Sequence, residues 1–337
     1  MAKHTIVCIP GDGIGPEVTA ATRRVLEAAG LSVQWVDALA GATAIEKGFD
    51  NVLPDQTLDA IKTHKIAIKG PVTTPVGKGF KSVNVQLRQK LNLYAAVRPV
   101  RTMPGIKTRF EGVDLVIVRE NTEGLYSGIE NEVVPGVVTS LKVASQAACT
   151  RIARYAFRYA TRRHRQKITV FHKANIMKLS DGLFLKCARQ IFEEEYPNIE
   201  YDEIIIDAGC MKMVQDPTKF DVLLMENLYG DLMSDLCAGL VGGLGVVPGS
   251  NIGDDAAVFE AVHGSAPDLA GKGVANPLAL IMSGVMMLNH IHEEPMGKKI
   301  KTAYDTVLAE GTSLTRDLGG TASTAEFADA IIAKLKG

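Results

Sequence analysis

The stretch Asn227-Leu228-Tyr229-Gly230-Asp231-Leu232-Met233-Ser234-Asp235-Leu236 organises the rest of the chain. Before it, the apolar run Val222 to Met225 reads as a buried strand. Within it Gly230 allows a turn, and Asp231 opens a helical pattern whose apolar stripe is Leu232, Leu236 and Leu240. A helix thus starts near a strand's carboxyl end. A spacing of four sets Asp231 and Asp235 on one helix face, where like charges repel by about 0.2 to 0.5 kcal/mol. A hard divalent cation, which takes carboxylate oxygens, converts that repulsion into chelation. An N-cap role for Asp231 and a solvated first-turn role for Asp235 account for the same residues without a metal.

A chain of 337 residues exceeds what one core comfortably serves, so two domains are expected. Thirty-seven basic residues against 38 acidic ones leave no global field to draw nucleic acid or a membrane surface, and neither partner is expected. The cluster Arg162-Arg163-His164-Arg165-Gln166-Lys167 is local and suits the negative end of a helix dipole. Cys8, Cys149, Cys187, Cys210 and Cys237 are scattered, with no Cys-x-x-Cys spacing. That pattern speaks against a zinc site or disulfide framework and fits a reducing compartment. The longest nearly apolar run, Leu278 to Leu288, is too short to span a bilayer. The chain opens on a strand, so a cytoplasmic protein is expected, or a mitochondrial-matrix one if a targeting peptide has been removed.

Strand and helix patterns alternate along the chain, which argues an α/β class. Near the N-terminus Gly11-Asp12-Gly13-Ile14-Gly15-Pro16 follows a strand and precedes a helix, yet the sixth position is proline. Neither a Rossmann fingerprint nor a P-loop is met. Ser82 is a candidate N-cap for a helix bearing Asn84 and Arg88. Gly128 to Lys142 has β composition around Val-Val-Pro-Gly-Val-Val and reads as a projecting hairpin. Arg98, Arg119, Lys173, Asp207 and Asp231 each read as lying at or just past a strand's carboxyl end, the edge where open α/β sheets bind ligands. Three arginines (Arg88, Arg98, Arg119) with three aspartates suggest a polycarboxylate ligand and a metal, since an arginine fork meets a carboxylate bidentately. Tyr126 and Lys173 are then the candidate acid and base, though a packing role for the first and a surface role for the second are the plain alternatives.

Taken in order, the motifs Ile9-Pro-Gly-Asp-Gly-Ile-Gly-Pro-Glu17, Ser82-Val-Asn84-Val-Gln-Leu-Arg88, Leu93-Tyr-Ala-Ala-Val-Arg98-Pro99, Arg119-Glu-Asn-Thr-Glu-Gly-Leu-Tyr126-Ser-Gly128, His172-Lys173-Ala-Asn175, Asn227 to Asp235, and His263-Gly-Ser-Ala-Pro-Asp268 through Asn276-Pro277 span essentially the whole chain. With them the sequence resembles the decarboxylating β-hydroxyacid dehydrogenases, the isocitrate/isopropylmalate dehydrogenase family, and within it those that use isocitrate and NAD. The resemblance implies a large α/β domain built from both termini (1–96 and 243–337, the cofactor side). It also implies a smaller central α/β domain (97–242) with a β clasp at about 125–143 that pairs two subunits.

The resemblance further implies that Asp231 and Asp235, with Asp207 of the partner subunit, hold Mg2+ or Mn2+. Ser82, Asn84, Arg88, Arg98 and Arg119 would grip a tricarboxylate, Lys173 would act as base and Tyr126 as acid. Thr73, His263, Gly264, Ala266, Asp268 and Asn276 would bind NAD, with Asp268 in the adenosine-ribose loop, where a carboxylate repels a 2′-phosphate. The implied product of isocitrate is 2-oxoglutarate, and the implied assembly is a homodimer with shared sites, or a higher oligomer. Homoisocitrate, 3-isopropylmalate and tartrate dehydrogenases are the rival activities, and a noncatalytic regulatory subunit is the rival role. Ser82 and Asn84 favour isocitrate, because an isopropyl group wants an apolar lining there.

Overall fold

The computed structural model describes residues 2–74 and 80–336, and every candidate site residue lies within them. Packing divides the chain into a first unit, made of the residues up to Leu93, Thr102–Arg109 and the residues from Val241 onward, and a second unit, Tyr94–Arg101 with Phe110–Leu240. The boundaries differ by a few residues from the expected breaks at 96/97 and 242/243. Thr102–Arg109 also packs with the first unit, where a Cβ on Gly105 would meet the Leu308 carbonyl oxygen at 2.0 Å.

The first unit begins with β1 (His4–Ile9), α1 (Gly15–Ala28), β2 (Val33–Asp37), α2 (Ala42–Glu46), α3 (Asp55–His64), β3 (Ile66–Lys69) and α4 (Val83–Lys90). The second contains β4 (Ala95–Arg101), β5 (Asp114–Glu120), β6 (Gly124–Val134), β7 (Val137–Val143), α5 (Gln146–Arg162), β8 (Lys167–His172), α6 (Ser180–Glu195), β9 (Glu200–Ile205), α7 (Ile206–Gln215), β10 (Val222–Met225) and α8 (Asn227–Leu240). The first unit resumes with β11 (Pro248–Ile252), β12 (Ala257–Ala261), α9 (Leu278–His290), α10 (Glu294–Glu310) and α11 (Thr324–Lys336). The α/β class read from the sequence holds.

In the first unit the strand order is β2-β1-β3-β12-β11, parallel except for the β11–β12 pair. Helix α9 is buried through most of its length, the behaviour of a helix apolar on all sides. In the second unit the order is β4-β5-β10-β8-β9, parallel except for the β4–β5 pair. β10 is central, and all four of its residues are buried. The hairpin read between Gly128 and Lys142 is present as β6 and β7. Its two-residue Pro135-Gly136 turn places Gly136 at φ +81°, a conformation that favours glycine. Val133, Val134, Val137 and Val138 on this hairpin are exposed.

Two local readings need correction. Arg98 does not end its strand: β4 continues through Pro99 to Arg101, antiparallel to β5, with Arg98 opposite Ile117 and Ala96 opposite Arg119. Because facing residues share a sheet side and the side-chain period is two, Arg98 and Arg119 still project from one face as diagonal neighbours. In α8 the buried side is Asn227, Gly230, Met233, Ser234, Cys237 and Ala238, whereas Leu232 is 62% exposed. Gly230, Ser234, Cys237 and Ala238 with Met233, not the leucines, face inward, because the helix lies close to β5. Gly230 is inside the helix and makes no turn; a Cβ there would fall 2.4 Å from Arg119 Cγ.

Candidate functional site

In the second unit Arg119 and Tyr126 converge on Asp231 of α8. Arg119, at the carboxyl end of β5 and 1% exposed, donates from Nε (3.0 Å) and Nη2 (2.6 Å) to Asn227 Oδ1 and pairs through Nη1 with Asp231. Asn227 is itself fixed, donating from Nδ2 to the Glu123 carbonyl oxygen at 3.0 Å. The Tyr126 hydroxyl donates to the other oxygen of Asp231, and the Arg119 guanidinium carbon lies 5.1 Å from the centre of the Tyr126 ring. Asn227 and Asp231, one turn apart, thus clamp one arginine while Asp231 also holds the phenol. Burial, then the bond to Asp231, raises the Tyr126 pKa above its ordinary value, so the phenol keeps its proton at neutral pH.

One turn further on, Asp235 has its pKa raised first by burial and then by the Asp231 carboxylate. Two carboxylates on one helix face, with Asp231 disfavouring charge on Asp235, fit a hard divalent cation. Asp207, in the first turn of α7, instead pairs with Lys173: Nζ donates to Oδ1 at 2.6 Å, and this bond holds the carboxyl below its usual range. Among the described residues no group of three or more His, Cys, Asp or Glu side chains gathers at metal-binding distance. A cation at Asp231 and Asp235 would take its remaining ligands from water, substrate or another chain.

Lys173 follows the end of β8, and its main chain is anchored: the amide donates to Asp181 Oδ2 at 2.6 Å. Asp181, buried in the first turn of α6, also pairs with Lys142 of β7, and Lys142 pairs in turn with Glu226. This cluster was not legible in the sequence; its members stand far apart and match no motif.

In the first unit, Ser82 caps α4 weakly, accepting from the Val85 amide at 3.5 Å. Asn84 Oδ1 is shielded from solvent and has no hydrogen-bond partner among the described residues. Arg88 Nη2 lies 3.7 Å from Glu260 Oε1, and Glu260 forms a buried pair with Lys69 at 2.8 Å. Asp12, quoted within a motif but assigned no role from the sequence, pins the loop after β1: its carboxylate accepts from the amides of Ala42, Thr43 and Thr73 and from the Thr43 hydroxyl. Gly13, at φ +60°, lets that loop meet Ser265, whose carbonyl oxygen would stand 2.0 Å from any Cβ. This glycine serves loop packing.

The Thr73 hydroxyl is 2.6 Å from Ser265 Oγ, within the loop that carries Gly264, Ala266 and Asp268. His263 Nδ1 lies 3.0 Å from the Gly264 carbonyl oxygen, while its Nε2 is shielded and without a partner among the described residues. Burial lowers the His263 pKa, so the ring is neutral at pH 7. A neutral imidazole with one unmet nitrogen and an exposed Asp268 on the same loop fit a polar ligand such as a dinucleotide. Asn276 is engaged already, donating to Asp317 Oδ2 at 2.9 Å and accepting from the Leu278 amide at 2.9 Å.

Known proteins share this architecture. The family model described as isocitrate/isopropylmalate dehydrogenase matches residues 5–331. The chain belongs to that family of dehydrogenases. It is 51% identical over 328 residues to the mitochondrial NAD isocitrate dehydrogenase catalytic subunit 5 of Arabidopsis thaliana, covering 97% of this chain and 87% of that one. To a mitochondrial NAD isocitrate dehydrogenase regulatory subunit of Dictyostelium discoideum it is 48% identical over 332 residues, covering 98% and 91%. The crystal structure of isocitrate dehydrogenase from Methylococcus capsulatus superposes with a TM-score of 0.95 at 52% identity, covering 99% of this chain and all of that one. The two curated relatives are called subunits and mitochondrial, so the expected cytoplasmic homodimer finds no support in their names. No helix among the described residues is long and apolar enough to cross a membrane.

Proposed function

We propose that the chain is a catalytic subunit that converts isocitrate to 2-oxoglutarate by oxidative decarboxylation, using NAD and Mg2+ or Mn2+. The observation that carries this reading is the convergence of Arg119 and Tyr126 on Asp231. A carboxylate-binding cation, a proton donor and a candidate metal ligand meet there within a family of dehydrogenases.

Arg88, Arg98 and Arg119, with Ser82 and Asn84, take the substrate's three carboxylates. The Asn84 side-chain NH2 and the Ser82 hydroxyl can each donate to a carboxylate at that position, which favours isocitrate over isopropylmalate. Lys173 removes the hydroxyl proton during oxidation to the β-keto acid. After carbon dioxide leaves, Tyr126 protonates the enol carbon, drawing on a phenol whose proton burial and Asp231 retain. When bound, NAD supplies the hydride acceptor, and the divalent cation supplies Lewis-acid stabilisation of negative charge on substrate oxygens. Asp231 and Asp235, with Asp207 of the partner subunit, would hold the cation. His263, Gly264, Ala266, Asp268, Thr73 and Asn276 would hold the dinucleotide.

Pairing of two chains is supported by exposed apolar side chains beside the candidate residues. Ile176 and Leu179 follow Lys173, Met211 and Val214 share α7 with Asp207, and Leu232 adjoins Asp231. Five exposed large apolar side chains beside the candidate residues suit burial against a second chain. The second chain is a copy of this one or a related subunit, and the mass of the purified assembly distinguishes them.

A regulatory role is the second reading, favoured by the name of the Dictyostelium relative. Substrate choice is tested by comparing kcat/KM for isocitrate, 3-isopropylmalate and homoisocitrate with NAD and Mg2+. Isocitrate should lead by a margin of about 1 to 3 kcal/mol, the cost of an unmet buried polar contact. Equal values for isocitrate and isopropylmalate would mean that Ser82 and Asn84 do not read the substrate.

A further inference from the structure

Lys173 is held by its main chain as well as by its ammonium. Its amide donates to Asp181 Oδ2 at 2.6 Å, and the Tyr229 hydroxyl of α8 lies 3.4 Å from the same oxygen. The other Asp181 oxygen pairs with Lys142, which stands 4.9 Å from the centre of the Tyr229 ring and also pairs with Glu226. Asp181 is 1% exposed, and Lys142 and Glu226 are largely buried with it. One shielded carboxylate therefore joins four elements: the loop bearing Lys173, α6, hairpin strand β7, and the helix that carries Asp231 and Asp235.

A buried ion cluster is a poor way to gain stability, because desolvation offsets most of the attraction. Its geometric consequence is specific: the Lys173 amide cannot shift without breaking a charge-assisted hydrogen bond inside the protein. We propose that Asp181, locked by Lys142, is a positioning residue that sets the place of Lys173 and ties it to the β6–β7 hairpin. The inference rests on the reading of Lys173 as base. Around the cluster stand further titratable groups: His172 at the end of β8, Cys149 of α5, Cys187 of α6, Glu120 at the end of β5 and Glu123 in the loop beyond it. Burial pushes the Glu226 carboxyl up to about 7, so Lys142 is committed mainly to Asp181 when Glu226 holds a proton.

The test compares Lys142→Met, Lys142→Arg and Lys173→Met with the wild-type enzyme. Three quantities are read: kcat and KM for isocitrate, the pH profile of kcat, and decarboxylation of the β-keto acid supplied directly. The last reaction bypasses removal of the hydroxyl proton. Displacing a reacting group by about 1 Å costs on the order of 100-fold in rate. Lys142→Met is therefore expected to lower kcat by about 10- to 100-fold and to move the acidic limb of its pH profile. It should leave KM and β-keto acid decarboxylation within about threefold. Lys142→Arg should recover most of kcat. The proposal is overturned if Lys142→Met keeps kcat and the pH limb. It is also overturned if both reactions fall together without rescue by arginine, as general loosening would cause. If Lys173→Met itself oxidises isocitrate at the wild-type rate, the base assignment fails and the positioning role fails with it; an inactive Lys173→Met beside an unaffected Lys142→Met overturns the positioning role alone.

Discussion

Gly230 and Arg119 lie too close for a methyl group between them: a Cβ on Gly230 would stand 2.4 Å from Arg119 Cγ and 2.6 Å from its Cβ. This contact presses α8 onto β5 and brings Asn227 and Asp231 within reach of the guanidinium. It explains a glycine in the middle of a helix, where glycine costs about 1 kcal/mol relative to alanine.

Gly230→Ala should therefore be damaging although alanine is the better helix former. Overpacking of this kind costs about 1 to 3 kcal/mol. Denaturant unfolding should show that loss, with kcat reduced along with it as Asp231 moves off Tyr126. A variant as stable and as active as the wild type would mean that α8 has room to shift.

The Glu226 carboxyl gives a pH prediction whose sign is fixed. Burial raises its folded pKa from 4.5 to about 7, with Lys142 opposing the rise and Asp181 adding to it. The stabilising contribution is full below the unfolded value and is lost as pH rises through about 7. With 1.36 kcal/mol per unit, the loss between pH 4.5 and 8 is about 3 kcal/mol. Glu226→Gln removes the titration while leaving Lys142 its Asp181 partner. Unfolding free energies measured at pH 5 and pH 8 should differ less in the variant than in the wild type. An unchanged pH dependence would place the Glu226 titration elsewhere.

Much of this architecture was legible in the sequence. The alternation of strands and helices, the β6–β7 hairpin and the N-cap at Ser82 follow from local periodicity and turn chemistry. Local pattern failed where long-range packing decides. The leucines of α8 look like its buried stripe, yet the close approach to Arg119 reserves the inner face for Gly230, Ser234 and Ala238. Nothing near Arg98 in sequence reveals that β4 runs on through Pro99, because its pairing with β5 is set by residues about 20 positions away. Asp12 and the Lys142–Asp181–Glu226 cluster were missed for the same reason, since buried charges find partners in space.

Cofactor choice should follow Asp268, which is exposed on the loop that follows His263. A carboxylate there repels a 2′-phosphate, so NAD should be favoured over NADP. Asp268→Lys is expected to lower kcat/KM for NAD and raise it for NADP, narrowing the preference by at least about tenfold. An unchanged ratio would remove Asp268 from cofactor recognition.

Shared sites have their own test. Tyr126→Phe and Lys173→Met should each lose most of the full reaction. If Lys173 serves the partner subunit's site, a mixed assembly has one site with both lesions and one with neither, and activity returns on coexpression. No recovery in assemblies shown to be mixed places both residues in the same chain's site.

The most direct test of catalysis by this chain is its activity when purified alone. NADH and 2-oxoglutarate formed from isocitrate are measured in parallel with Mg2+, after exhaustive chelation, and in Lys173→Met. The account predicts equal amounts of both products, abolished by chelation and restored by added Mg2+ or Mn2+. It predicts a loss of at least about 100-fold in Lys173→Met, within the range of general-base contributions. A well-folded chain forming no more NADH than Lys173→Met would contradict the account and assign the chain a regulatory role.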